Sequence, residues 1–334
     1  MKLLSLALIL GALATTAQTQ AQAQQNAPPV KVRMAYDGFS MTSAPLQYAV
    51  QQGIFKRFGL DITPTFIEGG SMLTQAIVGG SLDIAQNGYT PATAAAVQGA
   101  DIVIIAGIAN TLPYQLVVKT GINSAADLKG KTVGISRYGS STDAAAEFAL
   151  KHLGLTRREV NVVQLGGAST RMAAAIAGRV DGTFEQYPDT AEMTRHGFHV
   201  LVDLNDVVKD YPNTSFVTSR AFLKKNPDIV KKFLMAMATA VRELKANPDI
   251  AIPLIQKFLS VKDIENVRTA YNSYLKAYPD KLEISASGIT SVLESLAAKE
   301  PKAKTMKAEQ FFDTTTLDGL EREGFFAKLA GPRS

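Results

Sequence analysis

One spacing constrains this chain more than any other feature. An offset of 98 residues carries Gly69 to Gly167, Ser71 to Ser169, Gly80 to Gly178, Asp83 to Asp181 and Tyr89 to Tyr187, and it carries Ser43 to Ser141 as well. Glycine, serine, aspartate and tyrosine recur in one order, which points to two similar α/β units, although the periodicity common to any two such units accounts for part of the match. Two units of this kind facing one another enclose a cleft, and each presents the same kinds of groups to it.

The first residues stand apart from this pattern. Lys2 precedes an apolar run over 3–14 and a small, polar stretch containing Ala21-Gln22-Ala23, the order of a secretory signal peptide. The run is shorter than the ~20 apolar residues of a permanent membrane span. Cleavage is expected after Ala23, with Ala17 and Ala27 as alternatives, which makes 1–23 a signal peptide and the periplasm the expected compartment. The chain has no cysteine, so a disulfide framework, a thiolate metal site, a cysteine nucleophile and a lipid anchor at the cleavage site are all excluded. The length that remains suffices for two lobes, each with its own core. The formal net charge of +5 is spread along the chain and interleaved with acids. That is a solvated surface rather than a nucleic-acid stripe, and it gives at most a mild attraction for anions.

Strands are predicted at 30–35, 60–67, 82–85 and 102–106, with helices between them at 45–58, 72–78 and 91–98. The second unit repeats the order, with strands at 116–118, 132–135, 160–165, 182–184 and 200–204 and helices at 140–152, 169–177 and 190–196. Such alternation implies largely parallel sheets. From Pro227 onward the pattern is helical only. Asn226-Pro227-Asp228 and Asn247-Pro248-Asp249 each read as an N-cap, a proline at the first helical position and a first-turn acid. Val230, Phe233, Leu234, Met237 and Val241 follow at helical spacing, so these helices are expected to buttress one lobe, with Met235 and Met237 as core filling.

Ligands of open α/β sheets bind beyond the carboxyl ends of the strands. Loops 40–44, 69–72, 137–142 and 167–170 have that placement and bring glycines or hydroxyls to helix starts. Free N–H groups and the helix dipole there attract a carboxylate, sulfonate or phosphate. Taken singly, Ser43, Ser71, Ser141 and Ser169 read as N-caps; several such starts on one side of two lobes point to an anion site. Arg137 follows a buried strand and can grip an anion with two parallel hydrogen bonds or form a surface or interlobe ion pair. Glu185 can meet a ligand N–H or pair with Arg137 to close the cleft. The three histidines, His152, His196 and His199, do not assemble a metal site. Ser140 and Ser141 have no evident base, and Gly69-Gly70 lacks both the lysine of a phosphate loop and the third glycine of a dinucleotide fingerprint.

Several runs together carry a resemblance: the 45–53 helix ending in Gly53-Ile54-Phe55, then Gly59-Leu60-Asp61-Ile62, Gly80-Ser81-Leu82-Asp83-Ile84, Asp127-Leu128-Lys129-Gly130-Lys131-Thr132-Val133-Gly134, and the Asn-Pro-Asp helix starts. The chain resembles the periplasmic solute-binding proteins of the nitrate/sulfonate/taurine class of ABC importers, including relatives that bind thiamine pyrimidine precursors, over essentially all of its mature length. The resemblance implies a type II two-lobe periplasmic binding protein fold of class α/β. Lobe 1 would comprise 30–112 plus 215–334 with the C-terminal helices, lobe 2 would be 113–214, and crossings near 109–114 and 212–217 would hinge the pair.

It implies ligand binding by Ser40, Thr42, Ser43, Gly70, Ser71, Asn87, Tyr89, Thr90, Arg137, Tyr138, Ser140, Ser141, Thr142, Glu185 and Tyr187, with no catalytic residue, metal or cofactor. The partners implied are a small anionic organic solute (a sulfonate, a carboxylate or a related acid) and an ABC permease with its cytoplasmic ATPase, the binding protein itself being a monomer. Members carry an aromatic, an acid and a proline in one binding loop, whereas here Phe184-Glu185 is followed by Gln186, with the proline at Pro188. The chain has no tryptophan, which leaves Tyr36, Phe39, Tyr89, Tyr114, Tyr138, Phe184 and Tyr187 as cleft aromatics. Two alternatives stand beside transport. One is an enzyme on the same fold acting on a pyrimidine or small organic acid, although those relatives carry a cysteine-rich motif absent here. The other is a ligand-binding partner of a periplasmic sensor. Specificity is expected where the copies differ, as at Asn87 against Glu185 and Phe39 against Arg137.

Overall fold

Twelve strands sort into two five-stranded sheets and one two-stranded pair in the computed structural model, which describes residues 28–208 and 211–331. The expected signal peptide lies outside the described residues. The strands are β1 (Val30–Lys31), β2 (Met34–Tyr36), β3 (Leu60–Asp61), β4 (Thr65–Phe66), β5 (Ile84–Gly88), β6 (Val103–Ala109), β7 (Gln115–Lys119), β8 (Thr132–Ile135), β9 (Asn161–Gln164), β10 (Gly182–Glu185), β11 (Phe198–Asp203) and β12 (Thr214–Thr218). The first sheet has the order β4-β2-β5-β12-β6, the second β9-β8-β10-β7-β11, and β1 pairs with β3.

The two sheets share one plan. In the first, β2 runs parallel to β4 and β5, and β12 lies antiparallel between β5 and β6. In the second, β8 runs parallel to β9 and β10, and β7 lies antiparallel between β10 and β11. The repeat is therefore topological: β12 holds in the first sheet the place that β7 holds in the second. To arrange this, the chain leaves the first sheet after β6, builds the second, and returns as β12, so it passes between the sheets twice. The stretch 60–67, read as one strand, is divided between β3 and β4, which belong to different sheets.

Helix Pro227–Ala246 packs one face of the first sheet. Its buried Val230, Phe233, Leu234, Met237, Val241 and Leu244 make one apolar stripe, as a helix with a core-facing side requires. Phe233 stacks on Phe55 at 5.8 Å and meets the β12 residue Phe216 edge-on at 4.9 Å. Met237 is fully buried and Met235 packs at the margin of the same core. Helix Ala286–Leu296 covers the opposite face, joining a second core that continues through Tyr89, Leu116, Ile135 and Phe184 into the second lobe. The proline starts occur as expected, but the asparagines act backwards. Asn226 donates its side-chain amide to Phe222 O at 3.2 Å and Asn247 to Glu243 O at 2.7 Å. Each closes the carbonyl end of the preceding helix, because helix follows helix with no spare residue and the orphan carbonyls lie within reach. Among the described residues, no helix is long and apolar enough to cross a membrane.

Candidate functional site

The carboxyl ends of β2, β8 and β10 point into the space between the sheets, and the loops that follow them enclose a cavity of about 80 Å³. At roughly 10–15 Å³ of such volume per water, this holds a handful of heavy atoms. The first lobe contributes the 37–40 turn after β2, Thr42, and Gly69-Gly70 at the start of helix Gly70–Val78. The second contributes Ser136 and the 140–142 loop, Gly167 and Ala168, Arg171, and Glu185, Gln186 and Asp189 after β10. Tyr114, Asn213 and Thr214, on the two crossings, complete the wall.

A closed set of hydroxyl contacts forms one side. Ser136 Oγ lies 2.9 Å from both Ser140 Oγ and Thr142 Oγ1, and the latter two are also 2.9 Å apart. Ser140, not Ser141, caps helix Ser141–His152 by accepting from Asp143 N. Ser71 and Ser169 lie inside their helices behind Gly69 and Gly167, and Ser43 makes no side-chain cap bond. Four expected serine caps are thus replaced by two glycine starts, one Ser140 cap and an uncapped start: at Ser71, Ser141 and Ser169 the turn falls one or two residues earlier than the hydroxyl pattern implies, whereas Ser43 holds the cap position but spends its hydroxyl on Gly38 O. Ser141 is freed by this shift: only 8% exposed, it faces the cavity and makes no side-chain hydrogen bond to another described residue.

The dominant charge is Arg171, which sequence reasoning passed over. It is 4% exposed and reaches Glu185, itself 0% exposed, through Nε to Oε1 at 3.1 Å and Nη2 to Oε2 at 2.8 Å. Arg171 also donates to Gly166 O and Phe184 O at 2.9 Å each, and Thr183 donates to Glu185 Oε1 at 2.9 Å. Burial pushes the Glu185 carboxyl up, and the guanidinium beside it opposes that; the two-pronged geometry is that of a carboxylate. Glu185 therefore pairs with Arg171 and not with Arg137. A signal was present: the 98-residue offset sets Arg171 on Leu73 and Glu185 on Asn87, so the copies differ by a charged pair inserted together.

Of the fifteen candidate residues, the structure brings Ser40, Thr42, Gly70, Ser140, Ser141, Thr142 and Glu185 to the cavity wall. The rest lie elsewhere. Ser43 donates to Gly38 O and accepts from Gln86. Asn87 spends its amide on Thr74 and Gly88 N. Tyr89 is buried with its hydroxyl against Asn110, and Thr90 meets Tyr211. Tyr187 packs beside Pro113 and Tyr274, beyond the cavity wall. Arg137, Ser71 and Tyr138 stand at the lobe boundary. Arg137 Nε donates to Glu68 O at 3.4 Å, Ser71 Oγ donates to Tyr138 O at 3.2 Å, and Gly167 N donates to the Glu68 carboxylate. These contacts fasten one lobe to the other.

Besides Arg171, the structure adds Asp37, Gln186, Asp189 and Asn213 to the wall, and it places Phe39 and Tyr114, expected as cleft aromatics, there as well. Burial pushes the Asp37 carboxyl up to about 6, although N–H groups of its own residue and of Gly88 oppose the shift. Burial, with the Glu185 charge adding to it and Arg171 opposing it, pushes Asp189 up to about 7. Burial, and next the Asp37 charge, raise the Tyr114 hydroxyl. No histidine lines the cavity, and no group of three metal-ligating side chains occurs among the described residues.

Two sheets of one plan, two chain crossings and a polar cavity between them define a two-lobe solute-binding protein. Comparison with known proteins agrees. The chain belongs to the NMT1/THI5-like family, whose model matches residues 40–251. It is 30% identical over 230 residues to the taurine-binding periplasmic protein of Escherichia coli K12, covering 67% of this chain and 69% of that one. In fold it is similar to a protein of Bordetella bronchiseptica RB50 (TM-score 0.79, 23% identity, 88% of this chain and 98% of that one). It is also similar to the alkanesulfonate-binding protein SsuA of Xanthomonas axonopodis pv. citri bound to MOPS (TM-score 0.69, 22% identity, 84% and 96%).

Proposed function

We propose that this chain is the periplasmic substrate-binding component of an ABC importer. It is exported, acts as a monomer, captures a small organic acid between its lobes and delivers it to a membrane permease driven by an ATPase. The observation that carries this reading is the small polar cavity walled by both lobes at the carboxyl ends of their strands. The lobes open and close by rotation about the crossings after β6 and before β12, a hinge motion of the kind such clamps use. The acidic head of the solute sits at the starts of helices Ser141–His152 and Gly70–Val78, against Ser141, Thr142, Gly70, Ser40 and Thr42. Phe39, on the rim and packed against Phe66 at 4.8 Å, covers the apolar part.

A micromolar complex needs about 8 kcal/mol. Two or three charge-assisted hydrogen bonds at about 1.5–3 kcal/mol each, with the buried apolar area, reach that after the cost of association. An enzyme on this fold is the weaker reading. The hydroxyl cluster of Ser136, Ser140 and Thr142 has no imidazole in the cavity to act as base, and the relatives are named as binding proteins. Thermal-shift screening of the purified mature chain with sulfonates and carboxylates tests the proposal. A ligand at 100 times its Kd stabilises by about 2.7 kcal/mol. Absence of any shift, together with unchanged uptake of these acids by a deletion strain, would overturn it; a permease and ATPase encoded beside the gene would separate import from sensing.

A further inference from the structure

Helix Ser141–His152 carries an ion cluster that its own lobe leaves unbalanced. Asp143 and Glu147, one helical turn apart, share the guanidinium of Arg157, which donates through Nη2 to Asp143 Oδ1 and through Nε to Glu147 Oε1. Two like charges at this spacing repel one another, and a single cation does not neutralise both. The missing charge comes from the other lobe. Lys299, just beyond helix Ala286–Leu296, sets its ammonium 3.0 Å from Glu147 Oε1 and 3.7 Å from Asp143 Oδ2. The second lobe by itself therefore holds two acids on one base, and the closed pair of lobes holds two acids on two. Glu300 lines the same groove but forms no salt bridge with a described residue.

The cluster stands directly behind the loop that faces the cavity. Asp143 Oδ2, the oxygen turned toward Lys299, accepts from Gly139 N at 2.9 Å, and Asp143 N donates to Ser140 Oγ at 3.4 Å. Ser140 in turn donates to Arg137 O at 2.7 Å and belongs to the hydroxyl set with Ser136 and Thr142. One carboxylate thus ties the 139–142 turn to the ion cluster. Its side chain is only 8% exposed, whereas that of Lys299 is 56% exposed, so the ammonium withdraws into water at modest cost when the lobes part. Burial pushes the Glu147 carboxyl up, yet Lys299 and Arg157 outweigh it and hold the carboxyl below its ordinary range.

We infer that Lys299 is a positioning residue for ligand capture: on closure its ammonium crosses the seam, balances the cluster of Asp143, Glu147 and Arg157, and so fixes the 139–142 loop against the cavity. This rests on the solute-binding reading and adds to it a coupling between closure and the order of the site. The C-terminal helices then do more than buttress the first sheet. They supply the charge that draws the second lobe in, as opposite charges on facing surfaces do, and the same charge sets the loop. A second ion pair crosses the seam, from Arg195 Nη2 to Asp263 Oδ2 at 3.0 Å. Neither of its members touches the 139–142 loop, so it holds the lobes together without that effect.

Two measurements on the full mature chain, both without ligand, test this. The chain has no cysteine, so spin labels at Gln75→Cys and Ala173→Cys, exposed positions on helices Gly70–Val78 and Ala168–Ile176, report the separation of the lobes. Amide exchange of Gly139 followed by NMR reports the loop. Lys299→Met should lower the closed fraction about threefold and speed Gly139 exchange about fivefold. Lys299→Arg, which keeps the charge, should match the parent within about twofold in both. Adding Glu147→Gln to Lys299→Met removes the surplus negative charge. Gly139 exchange should then return to within about twofold of the parent, while the closed fraction stays low because the attraction across the seam is still missing. A packing role for Lys299 gives no such rescue. Parent-like separation and exchange in Lys299→Met would overturn the assignment, as would exchange in the double variant as fast as in Lys299→Met. Because no ligand enters either measurement, their failure leaves the solute-binding reading to its own thermal-shift test.

Discussion

Arg171 and Glu185 form a buried, two-pronged ion pair in the second lobe at the positions where the first lobe carries Leu73 and Asn87, 98 residues earlier. The same scaffold thus accommodates either an apolar and amide pair or a charged pair at one place. Removing one member of a buried pair leaves an uncompensated charge and costs about 3–5 kcal/mol, whereas replacing both can be neutral. Arg171→Leu alone and Glu185→Asn alone should therefore each destabilise by about that amount in urea titrations. The double variant should recover at least half. Additive losses in the double variant would show that the pair is not coupled.

The two unpaired cavity acids give stability a pH dependence of definite sign. Their folded protonation ranges, about 6 for Asp37 and about 7 for Asp189, lie above the unfolded value, so the folded protein holds more protons between about pH 4 and 7 and their contribution is lost as pH rises through that window. Asp127 and Asp181 are shifted the other way by their hydrogen bonds and neighbouring cations, so the total curve mixes both signs. The difference curve isolates the effect. Asp189→Asn should gain stability relative to the parent as pH rises from 4 to 8, reaching on the order of 3–4 kcal/mol. A flat or falling difference in Tm between pH 4 and 8 would refute it.

Glu68 bridges the lobes through Gly167 N while its carbonyl accepts from Arg137. Glu68→Ala is expected to speed ligand release about three- to tenfold, because contacts made only on closure act chiefly on dissociation. Arg137→Ala, which removes a side chain outside the cavity, should leave equilibrium affinity within about threefold. Stopped-flow release and calorimetry measure the two. A tenfold loss of affinity in Arg137→Ala would return that guanidinium to the ligand.

Asp83 and Asp181, the repeated acids, do the same work in both lobes. Asp83 accepts from Arg33 N at 2.8 Å at the entry to β2, and Asp181 accepts from Thr132 N at 2.8 Å at the entry to β8. Asp83→Ala and Asp181→Ala should each cost about 1.5–3 kcal/mol and leave ligand affinity unchanged. A binding defect without loss of stability would contradict this scaffold role.

Much of the fold was legible because it follows from local rules. Glycines at helix starts, prolines at 227 and 248, and apolar residues at helical spacing each act over a few residues, and the 98-residue offset repeats those local signals. The cavity's hydroxyl wall, including Ser140 to Thr142, Ser40 and Thr42, was legible for the same reason, since loops after strands open toward one edge of a sheet. Arg171 was not. It sits on a helix face that reads as ordinary surface until the rotation of that helix turns it inward onto β10. Asp37 was equally unmarked, being one residue past a short strand.

Sequence alone therefore determined the two-unit plan, the approximate places of most helices and strands, and the loops that meet. Tertiary structure decided which charge meets which. Arg137 and Arg171 carry the same guanidinium, and either could have paired with Glu185 by composition. The packing of helix Ala168–Ile176 on β10 placed Arg171 there and left Arg137 at the lobe boundary. Electrostatic partnership depends on distance and burial in the folded chain, and neither is a property of neighbours along it.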